Sequence, residues 1–385
     1  MAVALVCPDK FRGTLTAAGA AEALARGLEA AEVSGASPAS PGPHRFDEVR
    51  RLPLADGGEG TLDALLAAQG SSRRRATVTG PLGDPVEAEW GLLPDGTGVI
   101  ESARASGLAL VVGPNDPLAA TSRGTGELIR AAVRGGAKRV LVAVGGSAMT
   151  DGGLGAVDAL GWSLKGLAVT VACDVTTPFL DAARVFGPQK GATAAQVALL
   201  TRRLERLAEV YRQRTGCDVT TLQHAGAAGG LAGGLAALGA RLEPGFDVVA
   251  RAAGFEAALE GADLVVTGEG RFDRTSLDGK VTGGVLEWAA SEGVLLRAVV
   301  AGQVADELKA VVGADGSGAD DADRTAGALG GGEGAAASVL HDVLVLSLVD
   351  RVWQEGEAWG RAGLLAEEAA VEVGRWALER LARPT

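Results

Sequence analysis

Cysteine is scarce: Cys7, Cys173 and Cys217 are the only three in 385 residues. An odd, widely spaced set builds no disulfide framework and no Cys-x-x-Cys metal site, so these read as reduced thiols. Histidine is equally thin. His44, His224 and His341 stand alone in the sequence, which argues against a histidine-bound zinc hydrolase. No stretch reaches the ~20 consecutive apolar residues of a membrane helix. The apolar opening, Met1 to Cys7, is short and runs at once into Asp9, Lys10 and Arg12. It reads as a buried first strand and not as a signal peptide, and the expected location is the cytoplasm. An excess of basic charge is also missing. The net charge is −12, so nucleic acid is not the expected partner, although a locally basic cleft for a small anion is compatible with an acidic protein.

The familiar nucleotide signatures are absent too. Gly279-Lys280 is followed by Val281 and Gln189-Lys190 lacks the glycine, so there is no G-x-x-x-x-G-K-[ST] loop. No kinase-type glycine loop pairs with an HRD-like segment, and Gly-Gly-Ser147-Ala is no serine-nucleophile elbow.

Apolar material is ample: 47% of the residues are hydrophobic and mean hydropathy is +0.19. At ~100–200 residues per domain, two domains are expected. The chain opens as strand (Val3–Cys7), turn and Ala-rich helix, then a second strand (Val49–Leu54) and a second helix from Thr61. From Ala76 to Trp90 the pattern alternates at period two around Gly-Asp, which predicts antiparallel strands. Strand and helix patterns alternate again from Gly124. Strands are expected at Arg139–Val144, Leu167–Cys173, Asp263–Thr267, Leu296–Ala301 and Val343–Leu348. Helices are expected over Thr193–Thr215, Gly226–Gly239, Val281–Ser291 and Glu367–Leu381.

The expected fold is therefore α/β with two domains. Residues 1–75 and 262–385 form a discontinuous Rossmann- or flavodoxin-like domain, a parallel sheet in three layers. Residues 76–261 form an inserted mixed α/β domain. Gly313–Ala337, rich in Gly, Ala and Asp, is expected to be a mobile surface loop.

What is abundant is glycine and acid at the C-ends of the predicted strands, where open α/β sheets bind ligands. Five such turns occur: Asp9–Gly13, Asp56–Gly60, Gly145–Ser147, Cys173-Asp174 and Gly268–Asp273. A single Asp-Gly turn is ordinarily structural. Five of them fit phosphoryl transfer, which needs cations and backbone N–H groups over phosphates, acids for a divalent metal, and a carboxylate to orient the attacking hydroxyl. Lys10, Arg12, Lys190, Arg271 and Lys280 supply charge. Asp56, Glu59, Asp151, Asp174, Glu269 and Asp273 supply carboxylates.

These segments, in this order, resemble the first type of bacterial glycerate kinase. The resemblance is carried by Pro-Asp-Lys-Phe-Arg-Gly-Thr-Leu (8–15), Pro-Leu-Ala-Asp-Gly-Gly-Glu-Gly-Thr (53–61), Glu101-Ser-Ala-Arg-Ala-Ser-Gly-Leu108 and Thr121-Ser-Arg-Gly-Thr-Gly-Glu-Leu-Ile129. It continues through Gly145-Gly-Ser-Ala-Met-Thr-Asp-Gly-Gly153, Cys173-Asp-Val175, Val185-Phe-Gly-Pro-Gln-Lys-Gly-Ala192, Gly226-Ala-Ala-Gly-Gly-Leu231, Thr267-Gly-Glu-Gly-Arg-Phe-Asp273 and Gly279-Lys280.

The resemblance implies ATP, Mg²⁺ and D-glycerate, an active site in a cleft between two α/β domains, and commonly 2-phosphoglycerate as product. On that basis Asp174 is expected to take the proton of the attacking hydroxyl. Lys10 and Arg271 are expected to hold glycerate's carboxylate, with Asp273 beside them. Gly145, Gly146 and Ser147 would cradle phosphates with Lys190, Lys280 and Gly268. Arg12, Asp56, Glu59 and Glu101 would contact substrate, and Asp56, Glu269 and Asp273 would hold magnesium or its waters.

The sequence departs from the family pattern at a few places. Thr150 replaces an amide, Thr177-Pro178 replaces Asn-Pro, Arg12 stands where Lys is common, and Thr275–Asp278 departs from the usual pattern. Two alternatives stay open, a kinase of a related small hydroxy acid and a non-catalytic sugar-acid sensor. A homodimer stays open as well.

Overall fold

The computed structural model describes residues 1–33, 42–312, 339–352 and 355–383. The loop expected over Gly313–Ala337 lies outside them. In chain order the strands are β1 (Val3–Val6), β2 (Glu48–Arg51), β3 (Ser72–Thr79), β4 (Pro85–Leu92), β5 (Thr97–Glu101), β6 (Arg139–Ala143), β7 (Ala168–Cys173), β8 (Arg241–Pro244), β9 (Leu264–Phe272), β10 (Leu296–Val304) and β11 (Val343–Ser347).

The chain divides into two compact units, Met1–Ala55 with Ala250–Thr385, and Asp56–Val249. The change from strand–helix alternation to period two places a boundary near residue 75, with the insert expected to end at 261; by their internal contacts the compact units change over at Ala55 and Val249. The reason lies in packing. The helix Thr61–Gln69 faces β4, where a Cβ on Gly91 would lie 2.7 Å from Leu66 and 2.9 Å from Leu62. Residues 56–75 therefore belong with the strands that follow them.

The first unit is built on a five-stranded sheet of order β11-β10-β9-β1-β2, parallel throughout the described strands. Every residue of β1, Val-Ala-Leu-Val, is buried, as expected of a central parallel strand covered on both faces. Thr16 caps the following helix, Ala17–Glu29, its Oγ1 accepting the Gly19 N–H at 3.0 Å. Ala20, Leu24 and Leu28 are fully buried. This helix lies against the closing helix Ala362–Leu381, and small residues allow the approach. A Cβ on Gly27 would stand 2.2 Å from the Glu367 carbonyl oxygen and 2.6 Å from the Ala370 Cβ.

The second unit carries a mixed sheet of order β3-β4-β5-β6-β7-β8. β3, β4 and β5 pair antiparallel, as the period-two pattern predicts, and β5 through β8 are parallel. Its core includes Trp90, Ile100, Leu128, Val142 and Val171. A second apolar cluster, around Phe179 and Tyr211, fills the space under the long helix Ala194–Thr215.

Several expected elements differ: the second strand ends at Arg51 and not Leu54, the closing helix begins at Ala362 and not Glu367, and two further differences bear on the site. The strand expected to end at Thr267 runs on to Phe272, because Gly268–Phe272 stays paired with Val300–Val304. The helix expected over Gly226–Gly239 begins only at Leu231. Ala228 and Gly229 adopt left-handed backbone angles where the chain passes the Met149 carbonyl, 2.1 Å from a Cβ placed on Gly229.

Gly27→Ala should destabilise the protein by about 1–3 kcal/mol by overpacking, although alanine is the better helix former by ~1 kcal/mol. Urea unfolding monitored by circular dichroism reads the sign directly.

Candidate active site

In the second unit, a cavity of about 330 Å³ opens where β6 and β7 end. Leu108, Val144, Gly145, Gly146, Ser147, Asp174, Val175, Phe186, Gln189, Lys190 and Ala228 line it. Lys190 sits at the end of the turn Pro188–Lys190 and is only 3% exposed. Its Nζ donates to Ser147 Oγ at 2.9 Å and to the Met149 carbonyl at 2.5 Å. Burial pushes its pKa down to about 7, with the Asp151 charge pulling the other way. Asp151 offers only a distant field, because its own oxygens cap local backbone. They accept the Ser122 N–H and O–H at 2.8 Å, Gly153 N–H at 3.0 Å and Gly155 N–H at 3.2 Å. A buried ammonium without a direct ion pair is costly, and an anion in the cavity would relieve it.

The Asp56–Gly60 turn approaches the same loop. A Cβ on Gly145 would lie 2.9 Å from Gly58 Cα, and a Cβ on Gly58 would lie 3.1 Å from Asp56 Oδ1 and 3.8 Å from Asp174 Oδ2. Two carboxylates and a glycine loop thus surround one point. Asp56 Oδ1 also accepts the Gly58 N–H at 3.1 Å, which shapes the turn. Asp174 follows β7 directly and is exposed at the cavity wall. Glu59 is exposed on the turn.

Glu101 behaves differently from the expected substrate contact. It is 2% exposed, and both oxygens are engaged within the protein: Oε1 by the Gly60 and Leu62 N–H groups at 2.8 Å, Oε2 by Arg104 Nε at 2.7 Å.

In the first unit, the Lys10–Gly13 turn packs on β9, where a Cβ on Gly270 would stand 2.9 Å from the Arg12 nitrogen. Lys10 is half-buried and Arg12 exposed. Gly268, expected to face phosphates, is required by packing. A Cβ there would meet the Val300 carbonyl at 2.0 Å, and its own carbonyl accepts the Asp9 N–H at 2.8 Å. Arg271 is exposed and lies 3.6 Å from Asp273 Oδ2. Asp273 Oδ1 accepts the Thr275 N–H and O–H, at 2.9 and 2.7 Å. Burial opposes its charge, yet Thr275, Lys280 and Arg271 hold the carboxyl below its usual range. Lys280 Nζ donates to Thr275 Oγ1 at 3.0 Å. Glu269 is shifted the other way: burial raises its pKa, partly offset by the Thr282 and Ser276 hydroxyls and by Lys280. Its Oε1 is buried without a hydrogen-bond partner.

Among the described residues no three His, Cys, Asp or Glu side chains come together as a metal-holding group. Of the acids expected to hold magnesium, Asp56 belongs to the second unit and Glu269 and Asp273 to the first. Magnesium needs few protein carboxylates, because substrate phosphates and waters complete its shell. The unpartnered Glu269 Oε1 suits such a ligand.

Sequence reasoning missed Asn115, whose Nδ2 donates to the Ala148 carbonyl at 3.0 Å and the Lys190 carbonyl at 2.9 Å. It ties the lysine turn to the glycine loop. Nothing in its Gly-Pro-Asn-Asp surroundings distinguishes it from an ordinary loop asparagine.

The family model for glycerate kinases matches residues 4–167 and 163–319. The chain belongs to the glycerate kinase family. The glycerate 2-kinase of Escherichia coli K12 is 40% identical over 319 residues, covering 73% of this chain and 80% of that protein. The glycerate kinase of Bacillus subtilis 168 is 39% identical over 343 residues, covering 80% and 86%. A crystal structure from Salmonella typhimurium LT2, provisionally assigned as glycerate kinase 2, superposes with a TM-score of 0.74 at 31% identity over 97% of both chains. Membership in the glycerate kinase family implies phosphotransfer from ATP. No helix among the described residues is long and apolar enough to cross a membrane.

In this glycerate kinase family member Lys190 should leave a thermodynamic signature. The unfolded chain keeps the lysine protonated up to its ordinary 10.5, whereas the folded protein releases the proton near 7. Between those values the unfolded state binds more protons, so stability should rise with pH by up to ~1.4 kcal/mol per pH unit. Urea unfolding at pH 7.5, 8.5 and 9.5 should show this rise, and Lys190→Met should flatten it.

Proposed function

We propose that the chain transfers the γ-phosphoryl group of ATP to the 2-hydroxyl of D-glycerate, giving 2-phosphoglycerate. The observation that carries this reading is the Lys190 cavity: a buried ammonium beside a glycine loop, with the Asp174 carboxylate in its wall and the Asp56 turn packed on Gly145. Phosphoryl transfer asks for little covalent chemistry from a protein and much placement of charge. Lys190, with Gly145, Gly146 and Ser147, holds phosphate oxygens, and the ammonium regains a full positive charge as an anion enters. Asp174 accepts the proton of the attacking hydroxyl, which raises the nucleophile's electron density as the bond to phosphorus forms. The bond from phosphorus to the bridging oxygen breaks, and ADP leaves with that electron pair.

Lys10 and Arg271, with Arg12, are the cations assigned to glycerate's carboxylate; a planar guanidinium suits its two oxygens. Lys280 is assigned to the nucleotide. Magnesium, when bound, would offset phosphate charge, and Asp56, Glu269 and Asp273 are the acids available to hold it or its waters.

A binding-only sugar-acid sensor drew its support from the amides this sequence lacks. Thr150, the most conspicuous of these replacements, lines a separate cavity of about 420 Å³ with Pro117, Leu154 and Leu204, and follows Met149, whose carbonyl accepts Lys190 Nζ.

Asp174→Asn should cut turnover at least about a hundredfold in a coupled ADP-release assay, with ATP affinity changed only a few-fold. Near-normal turnover removes Asp174 from its role. Phosphorus NMR of the wild-type product distinguishes 2- from 3-phosphoglycerate, and a panel of small hydroxy acids distinguishes glycerate from its analogues.

A further inference from the structure

The helix Thr61–Gln69 begins at Gly60, which offers no side chain to cap it. The first N–H groups of any helix need acceptors from elsewhere. Here Glu101, at the C-end of β5, reaches across and takes two of them, Gly60 and Leu62, on one oxygen. A carboxylate at a helix N-terminus also gains from the helix dipole. Its second oxygen is gripped by Arg104 Nε.

Arg104 is itself fixed. Its Nη1 donates to Glu89 at 2.7 Å and its Nη2 to Asp63 at 3.1 Å. Arg73 binds the same two acids from β3, closing a cage of alternating charge. Surface ion pairs taken singly contribute little, but networks of them fix geometry. The turn held by this cage carries Asp56 and brings Gly58 against Gly145. Two further ties, Thr61 Oγ1 to the Gly58 carbonyl at 2.8 Å and Val144 N–H to the Gly57 carbonyl at 3.1 Å, lie within the turn or at its contact with β6.

We propose that Glu101, locked by Arg104, is a positioning residue that holds the Asp56–Gly60 turn, and with it the Asp56 carboxylate, against the Gly145 loop. It rests on the reading that Asp56 and the Gly145 loop serve phosphoryl transfer. Glu101 touches no substrate: it is buried, both oxygens are occupied, and it does not line the Lys190 cavity. Arg104 acts one step further out, and its loss leaves Glu101 in place but free to swing.

The test compares wild type, Glu101→Ala, Arg104→Met and the double variant, by hydrogen–deuterium exchange and by steady-state kinetics with glycerate and ATP. Peptides spanning residues 56–66 should exchange at least about tenfold faster in each variant, with the sheet strands unchanged. Turnover should fall about 10- to 100-fold while KM for both substrates stays within about threefold, since placement and not binding is lost. The double variant should be no slower than Glu101→Ala, because both side chains act through one contact. Should Glu101→Ala fold poorly, Arg104→Met carries the test.

A rise in glycerate KM at preserved turnover would make Glu101 a substrate contact and overturn the proposal. So would unaltered exchange in 56–66, or a lower melting temperature with turnover per folded molecule intact. Absence of any phosphorylated product from the wild type would overturn the kinase reading instead, and the exchange data would still decide whether Glu101 holds the turn.

Discussion

Where Gly145 meets Gly58, a Cβ on Gly145 would stand only 2.9 Å from Gly58 Cα, too close for a side chain at Gly145 without a shift of backbone. That contact joins two loops of the second unit. It brings the turn after β2 to the loop after β6, and so lets Asp56 and Asp174 share a neighbourhood with the Lys190 cavity. A larger residue at Gly145 would have to move the Gly58 backbone. The glycines at these strand ends are required for approach as much as for turning.

Electrostatics completes what the contact begins. Lys190 is buried beside hydroxyl and carbonyl oxygens, which solvate an ammonium without neutralising it. Asp151, the acid close enough to be felt, is committed to the backbone of the helix Leu154–Ala159 and to Ser122. The site therefore keeps an unmet demand for negative charge at low dielectric, where such a demand is strongest. In the first unit the imbalance has the opposite sign. Glu269 is a buried acid with one unpartnered oxygen, suited to a cation or a donor.

Much of this was legible in the sequence, and the unread parts share a cause. Strand ends rich in glycine and acid marked Asp56, Gly145 and Asp174 because such clusters are hard to explain as turns alone. The parallel sheet of the first unit followed from buried runs such as Val3–Val6, and the antiparallel β3–β4 pair from strict alternation. Burial and partnership were not legible. Glu101 and Asp174 look alike in sequence; one lies under a helix with both oxygens taken, the other stands at a cavity wall. Gly268 looked like a phosphate contact, but pairing with β10 carries the strand past it. Asn115 gave no signal because its value lies in two carbonyl partners distant in the chain. Local pattern reports backbone shape, whereas the fate of a polar side chain is settled by what folds over it.

The first unit takes its sheet from both ends of the chain: β1 and β2 come from the opening residues, and β9, β10 and β11 from the final third. Val3 and Asp263, hydrogen-bonded at 2.8 Å, are 260 residues apart. During ribosomal synthesis, all of Asp56–Val249 emerges before β1 can find β9. The contiguous unit can fold while the nascent N-terminal strands wait with an unpaired edge, the condition under which edges recruit wrong partners. Slow translation or chaperone shortage should thus harm the interrupted half of this molecule first.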